Sequence, residues 1–174
     1  MNISQNILKT LSQIIPTSTA HAHCDLPCGI YDPHQAIIGA LTVVRMMDII
    51  KEHAEHLQNK EEKYMSDLGL HNNLARAIAI KEDHAELVKK EVRTIWGDYF
   101  KPEMRAEHPQ LDGLVHEIMQ LGSKAKQTAD RDQAMQLLNK VNEFAEIFWK
   151  SKGKETKRVK APYKPEEEIV LPVL

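Results

Sequence analysis

Apolar residues recur every three or four positions along four separate stretches of the chain, the signature of helices that each bury one face. The first follows Asp32-Pro33 and carries Ile37, Leu41, Val44, Met47, Ile50, Ala54 and Leu57 on one side. Asp32 can cap this helix, Pro33 suits its first position, and Gln35 can close a capping box. The second runs from about Leu70 to Trp96, with Leu74, Ile78, Ala85, Val88, Val92 and Ile95 expected on the inner side. The third follows Pro109, with Leu111, Leu114, Val115, Ile118 and Leu121. The fourth opens at Asp130, with Gln133 three residues on as a second capping box, and its stripe is Ala134, Leu137, Leu138, Val141, Phe144, Ala145 and Phe148. The links hold Gly69, the segment 97–109 and the segment 122–129. Connections of this kind favour antiparallel neighbours, so the expected fold is all-α, an antiparallel up-and-down four-helix bundle. No stretch with strand alternation competes.

The ends depart from this pattern. Residues 1–22 hold no Asp or Glu, one basic residue (Lys9), and a Ser/Thr cluster before Ala20-His21-Ala22. Ala20-His21-Ala22 has the form of a small-residue cleavage signal, but the apolar positions ahead of it are interrupted by Lys9, Thr10, Ser12 and Gln13, unlike an export signal. Composition alone leaves two readings open, a removable leader that does not direct export and a frayed N-terminal arm. Residues 153–174 carry a basic run, Pro162, Pro165, three consecutive glutamates and the apolar end Ile169 to Leu174. They read as a mobile tail, with docking on a neighbouring subunit as the alternative.

Composition narrows the function. The 174 residues suit one domain with one core, and only seven of them are glycine, which disfavours a turn-rich all-β fold. The net charge of −2, with both signs mixed along the chain, gives no basic stripe for nucleic acid. No run approaches the length of a membrane span; the expected location is the cytoplasm. The only cysteines are Cys24 and Cys28. A single C-x3-C pair is neither a disulfide scaffold, nor a C-x-x-C redox motif, nor half of a four-cysteine zinc site.

The chemistry concentrates around that pair. His23, Cys24 and Cys28 fall within six residues just ahead of the first helix, and Pro27 and Gly29 flank Cys28 and favour a tight bend. Two thiolates and an imidazole suit a soft or borderline transition metal. As a bare motif, His-Cys-x3-Cys is compatible with an incidental cluster as well as with a metal site. Its position matters, because cleavage after Ala22 would make His23 the first residue. The freed α-amine would then join the imidazole, the Cys24 backbone nitrogen and the two sulfurs. Thiolate and amidate donors stabilise trivalent nickel, whereas hydrated Ni(II) is very hard to oxidise. The thiols must lose their protons, so metal binding couples to folding of the hook.

The run His23-Cys24-Asp25-Leu26-Pro27-Cys28-Gly29-Ile30-Tyr31-Asp32-Pro33 resembles the nickel-binding hook of nickel superoxide dismutases. The likeness continues through Ile80-Lys81-Glu82, the segment Trp96 to Pro102, and Ile147-Phe148-Trp149, and so spans residues 23–152. The resemblance implies a precursor whose leader, residues 1–22, is removed by a dedicated peptidase. It implies a four-helix bundle domain over 23–152 with an N-terminal metal-binding hook, assembled as a homohexamer. It implies one nickel ion per subunit, held by the amine of His23, the amide nitrogen of Cys24 and the sulfurs of Cys24 and Cys28, with the His23 imidazole as axial ligand in the oxidised state. Tyr31 and Asp25 would admit the superoxide anion and order water. Tyr99 would be a second tyrosine near the hook, and Lys101 and Lys126 would attract the anion. The implied reaction is a Ni(II)/Ni(III) cycle: one superoxide gives up an electron and leaves as oxygen, and a second takes the electron with two protons and leaves as hydrogen peroxide.

The sequence departs from the family where the axial imidazole is supported. A glutamate and an arginine ordinarily stand there; here the positions hold Gly39 and His84. Glycine has no side chain to accept a hydrogen bond, so His84 is the candidate for holding His23. Taken alone, Tyr31 and Tyr99 read as packing residues, Lys101 and Lys126 as solvated charges, and Trp96, Phe100, Phe148 and Trp149 as core or subunit contacts. A non-catalytic copper, nickel or zinc module built on His23, Cys24 and Cys28 is the runner-up function. A ferritin-like di-iron oxidase needs Glu-x-x-His pairs on two helices, and the sequence has none.

Overall fold

The computed structural model describes residues 29–59 and 67–174. The leader and the hook residues His23, Cys24, Asp25 and Cys28 lie outside the described residues, as does the side chain of Leu57. Four long helices appear where the apolar periodicity placed them: α1 (His34–Asn59), α2 (Asp67–Thr94), α4 (Leu111–Gln127) and α5 (Arg131–Ser151). Between α2 and α4 lie a π-helical turn, Ile95–Tyr99, and a short helix α3 (Pro102–Glu107). A two-stranded hairpin, β1 (Thr156–Lys160) and β2 (Glu168–Pro172), ends the chain.

The helices form a ring in which α1 packs on α2, α2 on α4, α4 on α5 and α5 on α1. Cross-helix contacts fix the antiparallel sense. Lys81 of α2 reaches Lys126 and Thr128, whereas Lys89, two turns later, reaches Ser123. The core is the sum of the inward stripes, with Ile37, Met47, Val88, Leu111, Ile118, Leu137, Phe144 and Phe148 among its fully buried members. The Asp32 carboxylate accepts from the His34 backbone N–H at 2.8 Å, and Asp130 accepts from Asp132 N–H at 2.9 Å. The reciprocal half of the second capping box does not close, since the Gln133 side-chain oxygen is buried with no hydrogen-bond partner.

Three expectations are corrected. First, Ile78 does not face inward; it is 37% exposed, and the buried line along α2 is Ala77, Lys81, Ala85, Val88, Val92 and Ile95. The lysine is tolerated there because its ammonium donates to the carbonyls of Lys126 (2.9 Å) and Thr128 (2.6 Å). These carbonyls lie at the C-terminus of α4, where helix carbonyls lack partners and the helix dipole favours a cation. Burial still pushes the Lys81 ammonium below the ordinary lysine range, against the opposing pull of Glu82. Second, Gly122 does not end its helix, which continues to Gln127. A Cβ there would lie 2.9 Å from the stem of Lys89, so this glycine lets a lysine side chain cross the helix.

Third, residues 153–174 are not a mobile tail. Gly153, at φ 67°, reverses the chain after α5, and the hairpin pairs in register from Thr156↔Pro172 to Lys160↔Glu168. Ala161, Ile169 and Val170 join the core. Buried Asn142 of α5 holds β2 through both ends of its amide, donating to Glu168 O at 2.9 Å and accepting from Val170 N–H at 3.1 Å. Arg131 bridges Asp48 of α1 and Glu167 of the hairpin, each at 2.7 Å.

Replacing Lys81 with Met keeps the buried stem but leaves two helix-end carbonyls without their donor. The expected loss is about 2 kcal/mol, read in thermal unfolding as a Tm lower by roughly 4–8 °C. An unchanged Tm would show that the ammonium does not cap α4.

Candidate active site

The hook is continuous with the described residues at Gly29, which directly follows Cys28 and sits at φ 85°. This left-handed conformation strains any residue with a side chain and redirects the chain into α1. Tyr31, three residues beyond Cys28, is half-buried. Its ring lies 5.7 Å from that of Tyr99, centre to centre. Tyr99 in turn packs on Phe100 at 5.0 Å and on Phe148 at 4.9 Å. Thus the segment after the hook, the turn following α2 and the end of α5 meet in one aromatic cluster, although they are far apart in sequence.

Tyr99 is held at both ends. Its hydroxyl bonds with Ser151 Oγ at 2.9 Å, and Ser151 donates to Phe148 O at 2.7 Å. The Lys152 ammonium stands 4.7 Å from the centre of its ring, a cation–π contact. The π-helical turn that carries Tyr99 is pinned from outside. Trp96 Nε1–H donates to Asp112 at 2.8 Å, and Arg105 donates to both oxygens of the same carboxylate at 3.1 and 2.7 Å. The Arg105 bonds, and then the Trp96 bond, hold the Asp112 carboxyl below its usual range.

Positions 39 and 84 lie side by side across the α1–α2 seam. A Cβ on Gly39 would stand 3.0 Å from Val88 Cγ2 and 3.4 Å from the His84 carbonyl oxygen, so α1 and α2 touch at this point. His84 is half-buried, and its Nδ1 lies 2.8 Å from Ile80 O. If Nδ1 donates there, Nε2 is left as an acceptor. Lys126 is not a free cation: it pairs with Glu86 at 3.3 Å, alongside Lys89 at 3.5 Å and Arg93 at 3.3 Å. Burial pushes the Glu86 carboxyl up, but the bonds and charges of Lys126 and Lys89 outweigh it and hold it low. Three cations around one carboxylate leave this face net positive. Lys101 is exposed at the N-terminal boundary of α3. Sequence reasoning missed Ser151 and Lys152 as supports of Tyr99, because neither lies in a motif.

Among the described residues, no three His, Cys, Asp or Glu side chains converge as a metal site. The family profile described as nickel-containing superoxide dismutase matches residues 18–152. This chain belongs to that family. A superoxide dismutase [Ni] from Streptomyces seoulensis is 36% identical over 137 residues, covering 79% of this chain and 93% of that protein. One from Streptomyces coelicolor is 35% identical over the same length and shares. The crystal structure of a Ni-containing superoxide dismutase with ligation corresponding to the oxidised state superposes with a TM-score of 0.60 at 36% identity, covering 75% of this chain and 99% of that one. A native nickel superoxide dismutase structure at 1.30 Å gives a TM-score of 0.60 at 35% identity. As a nickel superoxide dismutase, the chain is an oxidoreductase with nickel as its cofactor and superoxide as its substrate. No described helix is long and apolar enough to cross a membrane.

The depressed pKa of Asp112 gives a pH signature. A carboxylate with a lowered folded pKa contributes stability above its unfolded pKa and loses it as pH falls through the folded value. In a Trp149→Phe background, Trp96 fluorescence should therefore change with a midpoint below the ordinary Asp value of about 3.9. A midpoint at or above that value would contradict the Arg105–Asp112–Trp96 lock.

Proposed function

We propose that superoxide is dismutated at the hook His23–Cys28, with nickel held by the His23 amine and imidazole, the Cys24 amide nitrogen and the Cys24 and Cys28 sulfurs. The chemistry of the donors supports this: a thiolate-rich set with a terminal amine suits a borderline metal that must cycle by one electron, and the described residues offer no competing cluster. Bound nickel would supply one-electron redox chemistry, accepting an electron from one superoxide and returning it to the next.

The protein's own residues handle access, protons and orientation. The observation that carries the reading is the clamping of Tyr31, close behind Cys28, against a Tyr99 fixed by Ser151. Tyr31 and Asp25 are assigned to admitting the anion and ordering water. Lys101 and the net-positive face around Lys126 draw superoxide in by electrostatic steering, which added salt weakens. His84, with its Nδ1 at Ile80 O, offers Nε2 to the His23 imidazole in place of the missing carboxylate and acts as a positioning residue.

The same reading makes residues 1–22 a leader whose removal by a peptidase frees the amine of His23. It makes the mature enzyme a homohexamer and places it in the cytoplasm, where cysteines stay reduced. Active protein isolated from its host should begin at His23 and carry about one nickel per chain. N-terminal sequencing that finds another first residue would overturn the ligand set. Cys24→Ser should abolish nickel binding with the bundle still helical by circular dichroism. His84→Ala should alter the electron paramagnetic resonance spectrum of the oxidised metal; an unaltered spectrum removes His84 from the support of His23.

A further inference from the structure

The family profile ends at residue 152, and the solved relatives are covered over 99% of their length by 75% of this chain. The hairpin lies beyond the part of the chain that the family profile and these solved relatives match. It is fastened to the bundle at four places, one of them the ion pair of Arg158 on β1 with Glu146 on α5 at 2.8 Å. Gly153 N–H and Lys154 N–H turn back onto the carbonyls of Lys150 and Trp149 at 2.9 Å each. Asn142 grips β2, and Arg131 ties Glu167 to α1 through Asp48. A segment fixed in this way behaves as a rigid arm. Its far end, Leu171-Pro172, lines a cavity of about 50 Å³ together with Asp32, His34 and Ile37 of the first turn of α1, and with Trp149. Asp32, which caps that turn, follows the hook with only Gly29, Ile30 and Tyr31 between it and Cys28.

We propose that the C-terminal hairpin positions the nickel site by bracing the first turn of α1, the anchor from which the hook extends. This rests on the assignment of nickel to the hook. The hook can hold its donors in a fixed arrangement only if its downstream attachment is fixed. In this chain Leu171 and Pro172 of β2 line one small cavity with the Asp32 cap, His34 and Ile37. Leu171 is not itself among the residues that fasten the hairpin to the bundle.

The test uses the mature, nickel-loaded protein carrying Leu171→Ala, with Asn142→Ala as the stronger variant. Two quantities are measured: hydrogen exchange at the amides of residues 34–37, and nickel release into excess chelator. Leu171→Ala should accelerate exchange in that turn, and release should rise roughly tenfold, the scale of lost outer-shell support, while Tm changes by only a few degrees. Asn142→Ala should show the same with a larger effect; if it does not fold, Leu171→Ala decides. Parental exchange in the turn or parental nickel release in Leu171→Ala overturns the proposal, and the hairpin is then only a cover for the core. Cys24→Ser separates the two readings. If that variant still holds nickel, the hook assignment has failed; if it loses nickel while Leu171→Ala releases at the parental rate, only the brace has failed.

Discussion

The proposed metal hook spans six residues, too few to build a core, so its support has to come from the first turn of α1. The constraint shows in how many elements converge there. The Asp32 cap starts the helix, Ile37 plants it in the core, Tyr31 leans on the Tyr99 cluster, and β2 lies alongside. Helix ends fray unless they are held, and here the end from which the proposed hook extends is held from several sides.

The stripes on α1 and α4, and that on α5 apart from Asn142, were legible because local periodicity alone defines them. The stripe on α2 was misread for a specific reason. Counting apolar residues selects Ile78, whereas the buried position is taken by Lys81, whose partners are carbonyls 45 and 47 residues further on. Nothing in the neighbourhood of Lys81 announces a helix end reached across the bundle. Gly122 failed in the same way: a glycine near a helix end looks like a stop, but this one makes room for the Lys89 stem.

The hairpin escaped notice because its strands are short and its basic and proline-rich composition matches that of a solvated segment. A signal was nonetheless present. Asn142 lies beside Val141 and Ala145 with no exposure at all, and a buried amide requires partners. Those partners turned out to be the backbone of β2. The donor set proposed for the hook comes from a long and specific resemblance rather than from pattern. Composition by itself left the N-terminus open between a leader and an arm. The aromatic convergence of Tyr31, Tyr99 and Phe148 needed three dimensions, although the separate motifs that supply it were visible beforehand.

The bare Cα of Gly39 also limits what else this position can hold. With α2 settled against it, a side chain placed at 39 would meet Val88 Cγ2 at 3.0 Å and the His84 carbonyl at 3.4 Å from its Cβ. Val88 would have to give by a few tenths of an ångström to admit it. The tolerance of position 39 is therefore set by how far its neighbour across the helix seam can yield.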